Sequence, residues 1–255
     1  MAVQAELAPS ATLMEGKAGV IDGELVLSQG ITRKLGGTAG QFKEVPTLDL
    51  SPLTSPDATA EDKRQLVEEL RDICKRVGFF VIKNHGIDWE IVENAFEAIE
   101  GFFSLPMDKK MELHQSKSPS YMGYEEPYYT NVGRIKRGDL KESMTTAYDP
   151  LVDPLGKPDI VPPLLLRKNL WPDPEDSPNF RPALETYRYA CLDLMRRLAP
   201  VMALALGERE DFFDRKTDYP IAGIRALYYP VQDPSDEDST GLGAHTDVQC
   251  TLLSY

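Results

Sequence analysis

The sequence predicts an α+β chain, and two kinds of observation carry that expectation. Three stretches place apolar residues at helical spacing: from Glu61 to Val77, from Trp89 to Phe103, and from Pro182 to Leu206. Around them lie short runs rich in β-branched and aromatic residues: VPTLDL, GFFVIKNHGI, DLKESMTTAYD, IRALYYPV and VQCTLLSY. Runs of that length bounded by Gly, Pro, Asn and Asp read as strands entering turns.

The elements follow in chain order. Residues 1–44 show no strong period and form a loosely structured lead-in, in which GVIDGELVL has the pattern of a hairpin. VPTLDL, Val45 to Leu50, is the first clear strand. In the helix that follows, Leu66, Val67, Leu70, Ile73, Cys74 and Val77 share one stripe, Thr59 is the N-cap and Gly78 the stop. GFFVIKNHGI is expected as a buried strand ending at Asn84-His85-Gly86. The second helix turns Ile91, Ala95, Ile99 and Phe102 to one side, and Leu105-Pro106 ends it before a short turn at MDKKMEL. DLKESMTTAYD is expected to alternate across a sheet. In the last helix Leu184, Tyr187, Cys191, Leu194, Met195, Leu198 and Met202 form the core stripe, with Gly207 as the cap.

Composition excludes several function classes. A hydrophobic share of 42% with 27% charge is that of a soluble globular protein. The formal charge of −13 repels phosphate, so neither nucleic acid nor an anionic membrane is an expected partner. Cys74, Cys191 and Cys250 have no CxxC spacing and apolar neighbours, as small buried hydrophobes would. The start, MAVQAELAPS, lacks the basic-then-apolar form of a secretory signal, and a run such as APVMALAL is too short to span a bilayer. A cytoplasmic location is expected.

Only three histidines exist: His85, His114 and His245. With carboxylates at 41 of 255 positions, about one chance His–carboxylate pair at a spacing of two is expected in any such chain. Glu112 and His114 supply one, in a helix-like stretch where positions two apart diverge. His245-Thr246-Asp247 differs, because beside a strand the side chains at i and i+2 project from one face. Imidazole plus carboxylate is two-thirds of the facial triad that holds non-haem Fe(II), and a solvated loop pair is the other reading of this spacing. Tyr121, Tyr124, Tyr128 and Tyr129, clustered in YMGYEEPYY, read as a rigid surface loop, with a pocket lining as the other reading.

CKRVGFFVIKNHGI, GDLKES (Gly138 to Ser143), NLWP (Asn169 to Pro172), RALYYP and GLGAHTDVQCTLLSY occur in that order. From about Val45 to Tyr255 the chain resembles the iron/2-oxoglutarate-dependent dioxygenase family, in the branch that holds isopenicillin N synthase and plant flavonoid and gibberellin oxidases. The resemblance implies an N-terminal helical region followed by a jelly roll (double-stranded β-helix). It implies His245 and Asp247 as metal ligands, and Tyr229 as a residue that helps bind the carboxylate of 2-oxoglutarate or substrate. Leu227 departs from the Asn that the branch often has two before this Tyr. Asp247 argues against the halogenase variant. His85 matches a structural histidine, and His114 matches nothing.

The family's second iron-binding His and its Arg-x-Ser pair have no counterpart after Asp247, where only VQCTLLSY follows. The expectation is therefore an incomplete jelly roll, truncated after the HxD motif. Its regions are 1–44 (lead-in), 45–180 (N-terminal dioxygenase region) and 181–255 (long helix and first part of the Fe(II)/2-oxoglutarate domain). The cofactors implied are Fe(II) and 2-oxoglutarate, with ascorbate in support. The implied reaction is hydroxylation, desaturation or oxidative cyclisation of a small molecule in secondary metabolism, with a partner chain to complete the barrel. An oxidase that does without 2-oxoglutarate stays open, as does a non-catalytic relative acting as a binding protein. A hydrolase built on Asp/Glu pairs rests only on abundant carboxylates, which surface charge explains.

Overall fold

The structure is a computed structural model describing residues 44–131, 137–156, 169–220, 222–233 and 240–242, with the backbone of three short strands between 19 and 34. Those strands are β1 (Gly19–Ile21), β2 (Glu24–Val26) and β3 (Thr32–Lys34), paired antiparallel in chain order. The hairpin expected in GVIDGELVL is formed, and a third strand extends it.

β4 (Thr47–Asp49) and the short helix α1 (Ser51–Thr54) lead into α2 (Ala60–Arg76). Thr59 starts α2 through a reciprocal box: its hydroxyl accepts from the Asp62 N–H at 3.2 Å, and Asp62 Oδ2 accepts from the Thr59 N–H at 2.8 Å. Gly78 ends it, with φ at +82°. β5 (Val81–Lys83) returns parallel to β4. α3 (Trp89–Phe103) is capped by Asp88, whose carboxylate accepts from the Glu90 N–H at 3.0 Å. The short α4 (Met107–Met111) follows Pro106. β6 (Gly123–Glu125), β7 (Glu142–Thr146) and β8 (Ile224–Tyr228) form an antiparallel sheet with β7 in the middle. Between β7 and β8 runs α5 (Phe180–Leu206), 27 residues and so about 40 Å long.

α5 ties two cores together. Its C-terminal half gives Leu194, Leu198 and Val201 to a cluster with Leu48, Leu50, Leu66, Val67, Leu70 and Ile73. Its N-terminal half gives Phe180 and Leu184 to a second cluster with Ala98, Phe102, Phe103, Tyr124, Met144 and Ala226. Each fully buried side chain of this size contributes about 1.5–3 kcal/mol. Arg71 of α2 donates to the Leu204 and Ala205 carbonyls, both at 2.8 Å, which satisfies the open end of α5.

The fold is therefore mixed helix and sheet, as expected, with corrections in detail. β5 is not buried: Phe79 is 68% and Val81 55% exposed, because among the described residues β5 pairs only with β4 and nothing covers its outer face. Cys74 is exposed and Cys191 half-buried, while Cys250 lies outside the described residues. On α3 the buried stripe is Val92, Ala95, Ala98, Phe102 and Phe103, with Ile91 and Ile99 only partly covered. β7 does not alternate, since it is the central strand and four of its five residues are buried. Tyr124 belongs to the core rather than to a surface loop, whereas Tyr121 is exposed. Among the described residues no helix is long and apolar enough to cross a membrane.

Candidate functional site

Of the expected site residues, Tyr229 is described; His245, Asp247 and the VQCTLLSY strand lie outside the described residues. Tyr229 follows directly on β8 and is half-exposed. Its ring packs on Gly241, where a Cβ would stand only 2.9 Å from ring atom Cδ1. Gly241 is four residues before His245 in the sequence. The neighbouring Thr240 is held from the other side, since its carbonyl accepts from the Leu140 N–H at 2.7 Å in a parallel bridge. The approach to GAHTD is thus fixed between the end of β8 and the entrance to β7.

That entrance depends on GDLKES. Gly138 has φ at +85°, and a Cβ there would meet the Tyr128 carbonyl at 2.7 Å and that of Thr130 at 2.9 Å. Asp139, fully buried, accepts from Lys141 Nζ at 2.9 Å and from the Thr130 hydroxyl at 3.2 Å.

The sheet has two unlike faces. Tyr124, Met144 and Ala226 stand in register and pack into the second core. The other face carries Glu125 on β6, Ser143 and Thr145 on β7, and Arg225 and Leu227 on β8. Alternation along β8 continues to place Tyr229 on this second face. Here Glu125 accepts from Gln115 Nε2 at 2.9 Å and from the Ser143 hydroxyl at 2.5 Å, and Arg225 Nη2 closes an ion pair with it. Composition and spacing do not single out this group. The one visible signal is a lone Arg on the Tyr229 side of an apolar strand.

The inner face also holds charge. Glu142 Oε2 accepts from Lys110 Nζ at 2.6 Å and from the Tyr124 hydroxyl at 2.5 Å, and all three side chains are buried. Burial first, and the neighbouring Glu142 carboxylate second, push the Tyr124 phenol far above its ordinary range, so it stays a donor. Arg188 of α5, also buried, donates to the Thr146 hydroxyl and to the Ala147 and Ala222 carbonyls, which joins the end of β7 to the approach to β8.

The other two histidines are engaged. His85 sits in a turn and its Nδ1 accepts from the Ile87 N–H at 3.1 Å, as expected of a structural histidine. His114 caps a 3-10 turn, its Nδ1 accepting from the Ser116 N–H at 3.3 Å. Its Nε2 lies 3.0 Å from Glu126 Oε2, out of line for a hydrogen bond. Among the described residues no group of three His, Cys, Asp or Glu side chains is placed to hold a metal ion.

A helical region packed on an antiparallel sheet is an arrangement found among known proteins. The family model described as non-haem dioxygenase in morphine synthesis, N-terminal, matches residues 45–174, which is 130 of 255 residues. The chain belongs to that family. A 2-oxoglutarate-Fe(II) type oxidoreductase of Metarhizium rileyi is 33% identical over 218 residues, covering 80% of this chain and 58% of that protein. A 2-oxoglutarate-dependent dioxygenase of Talaromyces stipitatus is 32% identical over 215 residues, covering 82% of this chain and 65% of that protein. The chain thus spans somewhat under two thirds of the length of these relatives. Among solved structures, a full-length Neurospora crassa protein in complex with alpha-KG superposes with a TM-score of 0.64 at 22% identity, covering 91% of this chain and 64% of that one. A 2OG-Fe(II) oxygenase family protein of Caulobacter crescentus gives 0.59 at 21% identity, covering 73% of this chain and 56% of that one. At these identities the likeness concerns the fold.

Proposed function

We propose that this chain carries the first two metal ligands and one substrate-facing wall of a 2-oxoglutarate-dependent oxygenase acting on a small molecule in secondary metabolism. The observation that supports it most is the packing of the Tyr229 ring on Gly241, which joins β8 to the approach to His245-Thr246-Asp247. The names of the relatives point the same way. On this reading β6, β7 and β8 are part of a jelly roll.

His245 would give an imidazole nitrogen and Asp247 a carboxylate oxygen, which are donors suited to Fe(II). Tyr229 would orient a carboxylate of the cosubstrate. Iron with 2-oxoglutarate supplies oxygen activation at such a site. The protein's part is to hold the two donors on one side of a strand, orient the cosubstrate and present the substrate. His85 and His114 are both engaged in local turns, so neither is assigned to the metal.

Anaerobic Co(II) titration followed by visible spectroscopy tests this. The wild type should take up Co(II) weakly, and His245→Ala and Asp247→Ala should each lower uptake about tenfold or more. His85→Ala should leave it unchanged. Equal uptake by wild type and His245→Ala would refute the assignment.

A further inference from the structure

We infer that the substrate of this site carries an acidic group, a carboxylate or a comparable oxyanion, and that Arg225 receives it. The inference rests on the oxygenase reading above and adds the chemical class of substrate. It starts from an asymmetry within one ion pair. Glu125 and Arg225 meet on the side of the sheet away from the second core, the face that continues to Tyr229. The carboxylate has little capacity left. Oε1 is taken by Gln115 Nε2, and Oε2 is taken by the Ser143 hydroxyl and by Arg225. Its side chain is only 14% exposed.

Arg225 is the opposite. A guanidinium has five N–H donors in a planar fork. Among the described residues, the side-chain hydrogen bonds of Arg225 all run from Nη2, to Glu125 and to the Ser143 hydroxyl at 3.1 Å. Nε and Nη1 have no partner there, and the side chain is 41% exposed. The pair therefore holds Nη2 still and leaves the donors of Nε and Nη1, on either flank of the guanidinium, for a ligand. Each is a charge-assisted donor that suits one oxygen of an anionic group. An amine would need an acceptor, and most of the acceptor capacity of Glu125 is already in use.

The location sets this apart from the cosubstrate grip. Arg225 and Tyr229 are four residues apart on one strand, so their α-carbons are about 13 Å apart. A molecule held by its acidic end at Arg225 would extend along the sheet, past Leu227 and Ser143, toward Tyr229. Leu227 is 41% exposed and gives that path an apolar step.

Calorimetric titration of the 255-residue chain with three matched probes tests the inference: phenylacetate, phenylacetamide and phenethylamine. Phenylacetate should bind at least about tenfold more tightly than the other two. Arg225→Gln should remove that preference, and Arg225→Lys should restore part of it. Glu125→Gln should keep it, because Arg225 retains an amide acceptor. Tighter binding of the amine, a carboxylate preference that survives Arg225→Gln, or no binding of any probe would each overturn it. The two readings fail separately. Co(II) uptake indifferent to His245 alongside an Arg225-dependent carboxylate preference would sink the metal assignment and leave the acid site standing.

Discussion

The ring of Tyr229 occupies the space that a side chain on Gly241 would need, with a separation of 2.9 Å between ring atom and ideal Cβ. Gly241→Ala should therefore destabilise the chain by about 1–3 kcal/mol through overpacking. In a Tyr229→Ala background the same substitution should cost less than about 0.5 kcal/mol, because the obstacle is gone. Urea unfolding of the four proteins closes this cycle. Equal costs in both backgrounds would show that ring and glycine do not meet.

Glu142 accepts from both Lys110 and Tyr124 in a buried pocket. Glu142→Ala should cost about 3–5 kcal/mol, since it strands the Lys110 ammonium. Tyr124→Phe removes one donor and should cost about 1–3 kcal/mol. Replacing Lys110 by Met and Glu142 by Leu together should cost less than Glu142→Ala alone, because no charge is then left unpaired. Chemical denaturation gives the ranking.

Asp153 ties the loop after β7 to α5, accepting from Arg196 at 2.6 Å and from the Tyr148 hydroxyl at 2.7 Å. Burial pushes its carboxyl up, but these hydrogen bonds outweigh it and hold the group below its ordinary range. A lowered folded value stabilises the protein above the unfolded carboxylate pKa of about 3.9, and that stability is lost as pH falls through the folded value. Asp153→Asn should thus be clearly less stable than wild type at pH 7. The gap should narrow as pH falls below about 4. A gap independent of pH from 7 to 3 would mean that ionisation of Asp153 contributes nothing.

The Thr59–Asp62 box at the start of α2 is exposed, so its loss should be local. Thr59→Ala should cost about 1 kcal/mol, and Thr59→Ser should cost much less. Thermal melts would detect a difference of that size.

Local chemistry is legible in the order of the residues. Thr59 and Gly78 bound α2, Gly207 ends α5 with φ at +83°, and His85 is a turn residue, because caps and turns depend on neighbours a few positions away. The HxD pair and Tyr229 are also readable as candidates, since spacing and residue type define them. Three-dimensional packing decided the rest. The runs GFFVIKNHGI and DLKESMTTAYD both read as strands, yet β5 has one partner strand and stays exposed while β7 has two and is buried. No local pattern distinguishes an edge from a centre. Nor could spacing show that Lys110 meets Glu142 or that Glu125 meets Arg225, 100 residues apart in sequence, because tertiary packing and strand register bring them together. The sequence by itself determined the helices, their caps and the residue types of the candidate site. Only the tertiary structure decided which charges share a face of the sheet, because strand register pairs residues that lie far apart in the sequence.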